Sequence, residues 1–343
     1  MGTPLAGGST HARLLAIAST MIVAGAATAL ADNDRGTFSF VLENDVFYNL
    51  DRDYTNGVQF AWTSGPVKAD ACWECDVARV LPFFDGSGQM RVNYALGQSM
   101  FTPSDITLVN PPLTDRPYAG WLYGSLGVIS KVDPINSSWS HLEQLQLSLG
   151  VVGPSSEAEQ VQTFVHQLIG SNKPMGWDTQ LKDEPTLLLT YERSWRYRVD
   201  DLPFGLEMFA TPHLGAAVGN VFDYVNAGAT LTLGWNLGDD YGPPRIQPST
   251  PGSGYFEQKD GVGLYAFAGV DARAVARNIF LDGNTWADSR SVDKNTFVGD
   301  GQVGVALTFR SARLSFTHVF RTKEFTTQNN ADQFGAVGLS LQF

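Results

Sequence analysis

The chain has 343 residues, of which 43% are hydrophobic and only 17% are charged, which excludes a disordered protein and suits one large domain or two modest ones. The net charge of -12 argues against a protein that binds nucleic acid through its phosphates. Two Cys exclude a disulfide-rich scaffold and a multi-cysteine zinc site, and 35 Gly with 12% aromatic residues favour an all-β protein.

Residues 1–31 are typical of an export signal. Arg13 precedes an apolar stretch that ends in Ala29-Leu30-Ala31, which fits the small-x-small cleavage rule. We expect cleavage near Ala31, so that residues 32–343 form the mature protein. A retained N-terminal anchor is the alternative, but the stretch is short and rich in alanine. No later stretch approaches the ~18 apolar residues that a spanning helix requires, so an integral membrane form must be a closed barrel.

The rest of the sequence alternates apolar with small or polar residues, in runs separated by turn-rich segments. A period of two residues predicts β-strands. The last run places Leu339, Leu341 and Phe343 on one face, and its aromatic end resembles the terminal strand of bacterial outer-membrane proteins. Twelve runs are predicted, near residues 37–45, 56–64, 91–99, 117–130, 142–151, 185–197, 203–215, 226–236, 262–273, 300–310, 312–323 and 333–343.

The two faces of these runs distinguish a soluble β-sandwich from a membrane barrel. A sandwich normally places polar residues outside and large apolar residues in a dry core. Here the second face is mostly Gly, Ser, Thr, Gln and Asn, which suits the lumen of a small barrel. We therefore predict an all-β fold, an antiparallel transmembrane β-barrel of twelve strands in the outer membrane of a Gram-negative bacterium.

Residues 155–170, between the fifth and sixth runs, predict a short helix. Ser156 and Glu159 have the spacing of a capping box, and Gly170 suits a C-terminal cap. The apolar residues recur at spacings of three and four, as in an amphipathic helix docked against a barrel wall: Val161, Phe164, Val165, Leu168 and Ile169. His166 lies one turn from Gln162 at the border of this stripe.

Oxygen-bearing side chains cluster between the first and second runs, in Glu43-Asn44-Asp45 and in Asp51, Asp53 and Thr55. Such groups are the hard ligands that Ca²⁺ prefers. The spacing fails as an EF-hand loop because Gly57 stands in the seventh position, and the aspartates with Asn-Gly also suit an ordinary turn. Asn44-Asp45 stands out because two polar residues interrupt the alternation at a strand end.

Cys72 and Cys75 form a Cys-Trp-Glu-Cys motif between the second and third runs. In an exported protein the motif predicts a local disulfide. A redox role requires the motif to open a helix after a strand, and the nearby Pro82 and glycines argue against that.

The histidines offer no partner for a serine nucleophile. An outer-membrane phospholipase would carry a His-x-Ser pair on one strand, but no His in this sequence is followed two positions later by Ser. No Gly-x-Ser-x-Gly elbow occurs either. His141, His213 and His318 lie in or beside predicted strands, where a structural role is the default. His166 is the one on the predicted helix.

Four motifs together carry a family resemblance: Glu43-Asn44-Asp45-x-Phe47, Asp51-Arg52-x-Tyr54-Thr55-Asn56-Gly57, Asp115-Arg116-Pro117-Tyr118-Ala119-Gly120, and Gly153-Pro154 leading through Gln162 and His166 to Gly176-Trp177-x-x-Gln180. In this order they resemble the lipid A 3'-O-deacylase family of Gram-negative outer membranes. The resemblance implies a barrel that removes the acyl chains at the 3'-position of lipid A by calcium-dependent ester hydrolysis. It places functional residues on Asn44, Asp45, Thr55 and His166.

The chemistry implied needs no nucleophilic side chain. His166 would take a proton from a water molecule as that water attacks the ester carbonyl. Ca²⁺ held on Asp45 would polarise the carbonyl. Asn44 would donate to the same oxygen, Gln162 would orient His166 or the water, and Thr55 would orient Asp45 or bind water.

On chemical grounds alone, Asp51, Asp53 and Glu184 are further candidates for binding calcium or for supporting its ligands. Arg52 and Arg116 are candidates for docking the phosphates of lipopolysaccharide to this acidic protein.

Two other functions remain open. One is a non-enzymatic outer-membrane barrel, a pore or adhesion protein, with residues 155–184 as a plug or cap. The other is an outer-membrane phospholipase. The sequence leaves the oligomeric state and the acyl-chain specificity open.

Overall fold

The structure, a computed structural model, describes residues 35–45, 53–68, 71–135, 137–239, 241–249, 252–257 and 261–343. The signal predicted over residues 1–31 lies outside these ranges. Residues Gly36–Phe343 form one compact unit.

The described residues form twelve antiparallel strands that close into a barrel, with β1 paired to β12. The predicted fold is confirmed, and each of the predicted runs overlaps one strand. The strands are β1 (Thr37–Asn44), β2 (Asp53–Thr63), β3 (Gln89–Thr102), β4 (Ala119–Val132), β5 (Trp139–Val152), β6 (Glu184–Asp201), β7 (Glu207–Gly219), β8 (Phe222–Trp235), β9 (Val262–Asn278), β10 (Phe297–Phe309), β11 (Ala312–Arg321) and β12 (Asp332–Gln342).

Helices occur only in the connections of the described chain. They are α1 (Trp73–Arg79), α2 (Ala158–Ile169) and α3 (Ile279–Asp282), with single 3-10 turns at Pro154–Ser156, Trp177–Thr179 and Pro203–Gly205. Helix α2 confirms the helix predicted between β5 and β6. None of the described helices has the length and hydropathy needed to cross a membrane.

The alternation of side chains gives the barrel an apolar outer surface. Leu149, Leu214 and Leu314 point outward and are about half exposed, as are many other large apolar residues of the strands. Ser39 and Ser340 face the lumen, where their hydroxyls lie 2.9 Å apart. An apolar outside with a polar inside is the pattern expected of a barrel solvated by lipid.

The two rims of the barrel differ in what they carry. Thr37 and Gln342 pair at one rim, which we call the terminal rim, and Asn44 lies at the opposite rim, which we call the hairpin rim. Because the strands alternate in direction, the hairpin rim holds the connections 45–52, 103–118, 153–183, 220–221, 279–296 and 322–331.

The connection after β2 folds over the outer wall at the terminal rim. Cys72 and Cys75 are joined by a disulfide, as predicted. The expectation that this motif would not open a helix is wrong, because Cys72 is the N-cap of α1 and its sulfur accepts from the backbone N–H of Cys75. The helix packs against β3 and β4.

The connection between β8 and β9, residues 236–261, enters the lumen from the terminal rim, and we call it the lumen loop. Asp239 anchors its first arm by an ion pair with Lys131 and another, of 3.3 Å, with Arg196. Glu257 anchors the second arm by an ion pair with Arg91. The N–H of Asp239 donates to the carbonyl of Glu257 at 2.9 Å, so the two arms are also bonded to each other.

The described part of the lumen loop rises through the barrel. Halfway up, the side-chain amide of Gln144 donates to the carbonyl of Gly252 at 3.1 Å. Near the hairpin rim, Arg321 donates to the carbonyl of Pro248 at 3.0 Å. Above the loop, Phe101, Phe222 and Phe280 belong to an apolar cluster that fills the lumen at the hairpin rim. Over the described residues, side chains and this loop thus occupy the lumen.

Candidate active site

A groove of about 400 Å³ lies between α2 and the wall of β1, β2 and β3 at the hairpin rim. On β1, Leu42 and Asn44 alternate with the buried Val41 and Glu43 and so face the outside of the barrel. Their partners on β2, Val58 and Asn56, lie on the same face. Its apolar lining consists of Leu42, Val58, Met100, Val161, Val165 and Ile169, and its polar lining of Asn44, Thr55, Asn56, Gln162 and His166. Four of the residues singled out in the sequence, Asn44, Thr55, Gln162 and His166, therefore meet in one groove.

A β-bulge brings two consecutive residues of β2 to this groove. Strict alternation would send Thr55 and Asn56 to opposite faces, but the register of β2 against β3 shifts between Tyr54 and Asn56. The Thr55 hydroxyl lies 2.6 Å from that of Thr102 on β3. The bulge thus directs Thr55 into the groove and Tyr54 into the core.

Helix α2 confirms the predicted amphipathic helix, whose apolar stripe is divided between the groove and the outside. Val161, Val165 and Ile169 line the groove, while Phe164 and Leu168 are 66% and 75% exposed. The polar Gln162 and His166 are buried, at 2% and 5% exposure. Outside a membrane barrel the surroundings are lipid, so apolar side chains belong outward and polar ones against the wall.

Glycine at position 120 lets the start of α2 approach the wall closely. A Cβ on Gly120 would lie 2.1 Å from the Ser156 hydroxyl and 2.3 Å from the Cβ of Ala158. The side-chain amide of Gln98 on β3 donates to the carbonyl of Ser156 at 2.7 Å. The motif residues around Gly120 therefore serve to seat the helix.

The predicted helix caps are half right. The capping box is wrong, because the Ser156 hydroxyl donates to the carbonyl of Gly153 at 2.6 Å and the N-cap residue is Glu157. The chain makes a 3-10 turn before α2, which moves Ser156 out of the cap position. Gly170 does form the C-cap, in the left-handed conformation with φ of 71°, and its N–H donates to the carbonyl of His166.

Trp177 fixes the side chain of Gln162. The indole Nε1–H donates to Gln162 Oε1 at 2.8 Å, and the Trp177 ring packs on Tyr118 with centroids 4.8 Å apart. A Cβ on Gly176 would lie 2.5 Å from the Tyr118 ring, so glycine is needed there. The Nε2 of Gln162 is buried and has no hydrogen-bond partner among the described residues. This amide can therefore donate to a ligand in the groove.

A backbone carbonyl after α2 sets which ring nitrogen of His166 carries the proton in the neutral ring. Its Nδ1 lies 2.5 Å from the carbonyl oxygen of Asn172. Because a carbonyl oxygen only accepts, Nδ1 is the protonated nitrogen of the neutral ring, and Nε2 carries the accepting lone pair. The arrangement is that of a general base oriented by a second group. Sequence analysis missed Asn172, since a residue that acts through its carbonyl leaves no signal in its side chain.

The predicted calcium ligands are only partly described. Asp45 is fully buried beside Asn44, and its backbone N–H donates to the carbonyl of Thr55 at 3.4 Å. Asp51 lies outside the described residues, and of Asp53 the structure describes only the backbone at the start of β2. Among the described residues, no group of three or more His, Cys, Asp or Glu side chains is arranged to hold a metal ion.

The donor chemistry at the groove nevertheless suits a hard cation. Asn44, Thr55 and Asn56, whose side chains carry oxygen, line it. Asp45 follows Asn44 in the chain but is not among the lining residues. Oxygen donors of this kind fit Ca²⁺ rather than a softer metal. Asn56, which the sequence placed at the start of the second run and which also suited a turn, lies inside β2 and lines the groove.

Two other sequence-based expectations concern residues away from the groove. Arg116 is fully buried, 3.2 Å from Glu324 and 4.9 Å over the Phe101 ring, so its proposed docking of lipid phosphate is wrong. The Glu184 carboxylate accepts from the backbone N–H of Thr285 at 2.7 Å and from Asn220 at 2.9 Å, which ties it to two other connections of the hairpin rim. Arg52 lies outside the described residues.

The remaining histidines are outside the groove. His141 lies at the terminal end of β5, 3.9 Å from Asp85. His213 is buried in the lumen, where its Nε2 is 3.0 Å from Asp271. His318 packs against Phe320 with ring centroids 4.0 Å apart and the ring planes tilted by 59°. His166 is thus the one histidine among the described residues that lines the groove.

Known proteins support the resemblance drawn from the motifs. The sequence profile of the outer membrane protein LpxR family matches residues 14–343. The fold is similar to that of LpxR from Salmonella typhimurium, with a TM-score of 0.70 over 90% of this chain and 100% of that chain, at 22% identity. No curated protein sequence matches the chain.

More distant likenesses are to other outer-membrane barrels. The β domain of the Bordetella autotransporter BrkA has a TM-score of 0.45 over 91% of this chain and 100% of that chain, at 11% identity. The translocator domain of the autotransporter NalP from Neisseria meningitidis has a TM-score of 0.42 over 97% of both chains, at 10% identity. Since the family profile spans nearly the whole sequence and the fold is the predicted closed barrel, the chain belongs to the outer membrane protein LpxR family.

Proposed function

We propose that this protein is an ester hydrolase that removes the 3'-linked acyl chains of lipid A from the outer leaflet of the outer membrane. The observation that carries the proposal is the meeting of a backbone-oriented histidine with amide and hydroxyl groups in a groove whose other walls are apolar. An apolar groove suits an acyl chain, and the polar end suits the ester at its head.

The proposed reaction uses a water molecule as the nucleophile. His166 Nε2 takes a proton from the water as the water oxygen bonds to the ester carbonyl carbon. The carbon–oxygen bond to the sugar then breaks, and the proton passes from His166 to the leaving sugar oxygen. The products are a free fatty acid and lipid A with a 3'-hydroxyl group.

The oxygen of the attacked carbonyl becomes negatively charged and requires donors. Asn44 and Gln162 offer side-chain amide donors in the groove, which Asn56 also lines. Asp45, with oxygens of Asn44 and Thr55, would hold Ca²⁺, with Asp51 and Asp53 as further candidate ligands. When bound, calcium supplies positive charge beside that oxygen.

The proposed orientation places the hairpin rim outside the cell. Residues 1–31 would direct export and be removed near Ala31. The rim that carries α2 would then lie in the outer leaflet, where lipopolysaccharide is found, and the exposed apolar side chains of α2 would contact acyl chains.

Lipid A mass spectrometry tests the proposal directly. Purified protein incubated with lipid A in detergent is expected to yield a species that has lost its 3'-linked acyl chains, together with the free acid. The same preparation incubated with glycerophospholipid is the comparison. Hydrolysis of the phospholipid with intact lipid A would instead support a phospholipase.

The Gln162 amide is predicted to contribute to catalysis. Replacing Gln162 with leucine removes the Nε2 donor while it keeps the size of the side chain, and we expect kcat to fall on the order of 100-fold, as when one oxyanion donor is lost. Trp177→Phe keeps the Gln162 amide but removes the indole hydrogen bond that orients it. This variant should have a smaller effect on kcat. Equal activity of Gln162→Leu and the unmodified protein in the mass-spectrometric assay would remove Gln162 from the mechanism.

A second prediction separates this function from a pore. Because side chains and the lumen loop fill the described lumen, the intact protein is expected to show no steady conductance in planar bilayers. Channels formed by the intact protein in the absence of hydrolysis would favour the pore.

A further inference from the structure

The tip of the lumen loop lies directly behind the groove, on the opposite side of the barrel wall. Arg245 Nε donates to Glu43 Oε1 at 2.6 Å, and the backbone N–H of Ile246 donates to the same oxygen at 3.3 Å. Glu43 is 1% exposed and immediately precedes Asn44, which lines the groove. One carboxylate on the lumen side is therefore held by two donors of the loop.

The same tip also contacts the second strand of the hairpin. Glu43 pairs with Gly57 on β2. A Cβ on Gly57 would lie 2.9 Å from Ile246 Cδ1 and 2.0 Å from the Tyr54 hydroxyl. The absence of a side chain at Gly57 thus lets the loop and Tyr54 pack closely, two residues from Thr55.

This part of the hairpin is where outside support matters most. The pair of Asn44 with Asn56 is the last one between β1 and β2, and strand ends are the segments that open most readily. Successive residues of a strand point to opposite faces. A rotation of the end of β1 that moved Asn44 in the groove would therefore also move Glu43 in the lumen.

Arg245 directs its charge at this one carboxylate. Its other hydrogen bond goes to the neutral Gln302 on β10, at 2.9 Å, and the guanidinium lies 5.8 Å over the Phe334 ring. In a buried lumen, a charged pair of this kind is held more firmly than at a surface, and breaking it leaves a buried charge uncompensated. The pair thus resists the rotation described above.

We propose that Arg245 is a positioning residue for the groove: it acts through Glu43 to fix the end of the hairpin that carries Asn44 and Thr55. The inference rests on the proposed function for its catalytic readout. It gives the lumen loop a role beyond closing the barrel, because the loop reaches from the terminal rim to the site.

The test compares two variants of adjacent lumen residues. Arg245→Ala is expected to lower kcat for lipid A on the order of 100-fold, the cost of a misplaced catalytic group, with KM unchanged because the apolar lining is intact. Gln302→Ala, which removes the other partner of Arg245 but leaves the pair with Glu43, is expected to keep full activity. Arg245→Lys, which keeps a charge within reach of Glu43, should recover most of the lost kcat.

Coupling between the partners provides a second kinetic criterion. If Arg245 acts through Glu43, Glu43→Ala should reproduce the loss, and the double variant should be no worse than either single one. Additive losses, or an unchanged kcat in Arg245→Ala, would overturn the proposal. Should the alanine variant fail to fold, as judged by heat-modifiable migration on gels, Arg245→Met keeps the bulk in the lumen and serves the same comparison.

Hydrogen exchange separates this proposal from the proposed function. Mass spectrometry of peptides that cover residues 37–45 and 53–60 should show faster amide exchange in Arg245→Ala than in Gln302→Ala. If the unmodified protein does not hydrolyse lipid A, the proposed function fails while the exchange data still decide whether Arg245 holds the hairpin. Equal exchange in the two variants would show that it does not.

Discussion

Replacement of His166 by alanine is expected to abolish the release of acyl chains from lipid A while the barrel remains folded. A positioned general base contributes about 100-fold to 10,000-fold in rate, and the groove contains no other histidine among the described residues. The side chain lies in the last turn of α2, and the helix is held by contacts of Gly120, Gln98 and Trp177 that the substitution leaves in place. Mass spectrometry of lipid A measures the loss.

His141→Ala is the matched control for this experiment. His141 is also a buried histidine, but it lies at the terminal end of β5, away from the groove. Full activity is expected for that variant. Activity retained by purified, folded His166→Ala would exclude His166 as the base, whatever the family membership.

Removal of calcium is expected to silence the unmodified protein by a similar factor, because the charge that stabilises the developing oxyanion would be lost. The measurement uses dispersed lipid A in detergent micelles, since a chelator also strips the divalent ions that hold packed lipopolysaccharide together. Activity should return when Ca²⁺ is added in excess of the chelator. Full activity in the chelator would contradict the proposal that calcium takes part.

Calorimetric titration gives this prediction a readout that does not depend on activity. The unmodified protein should bind Ca²⁺, and Asp45→Ala should bind it far more weakly. Asp105→Asn, at an exposed carboxylate of the same rim whose side chain bonds Thr107, should bind as the unmodified protein does. Equal binding by all three proteins would exclude Asp45 as a calcium ligand.

The barrel was predictable because its physics is periodic. Alternation of apolar with small or polar residues recurs along each strand, and lipid on one side requires it, so even the pairing of the first and last strands followed from an even number of runs. The lumen was less predictable. Glu43 lies in the lumen as a charged residue because Arg245, on a distant connection that enters the barrel, pairs with it. No local pattern encodes a contact between positions so far apart.

The groove was predictable in its members and not in its geometry. The motifs named Asn44, Thr55, Gln162 and His166, and the structure brings them together. The direction in which the faces of α2 point was not predicted, because an amphipathic pattern states which residues share a face and says nothing about the solvent outside. The bulge at Thr55 and the carbonyl of Asn172 depend on backbone geometry, which residue types do not report.

The groove on the flank of the cylinder changes how encounter with substrate should be described. Under the proposed function, a lipid diffusing within the outer leaflet would reach the groove between α2 and the wall from the side, without leaving the lipid layer. Turnover would then depend on the number of substrate molecules per unit area and on their lateral diffusion, and the bulk concentration would be a poor measure of supply.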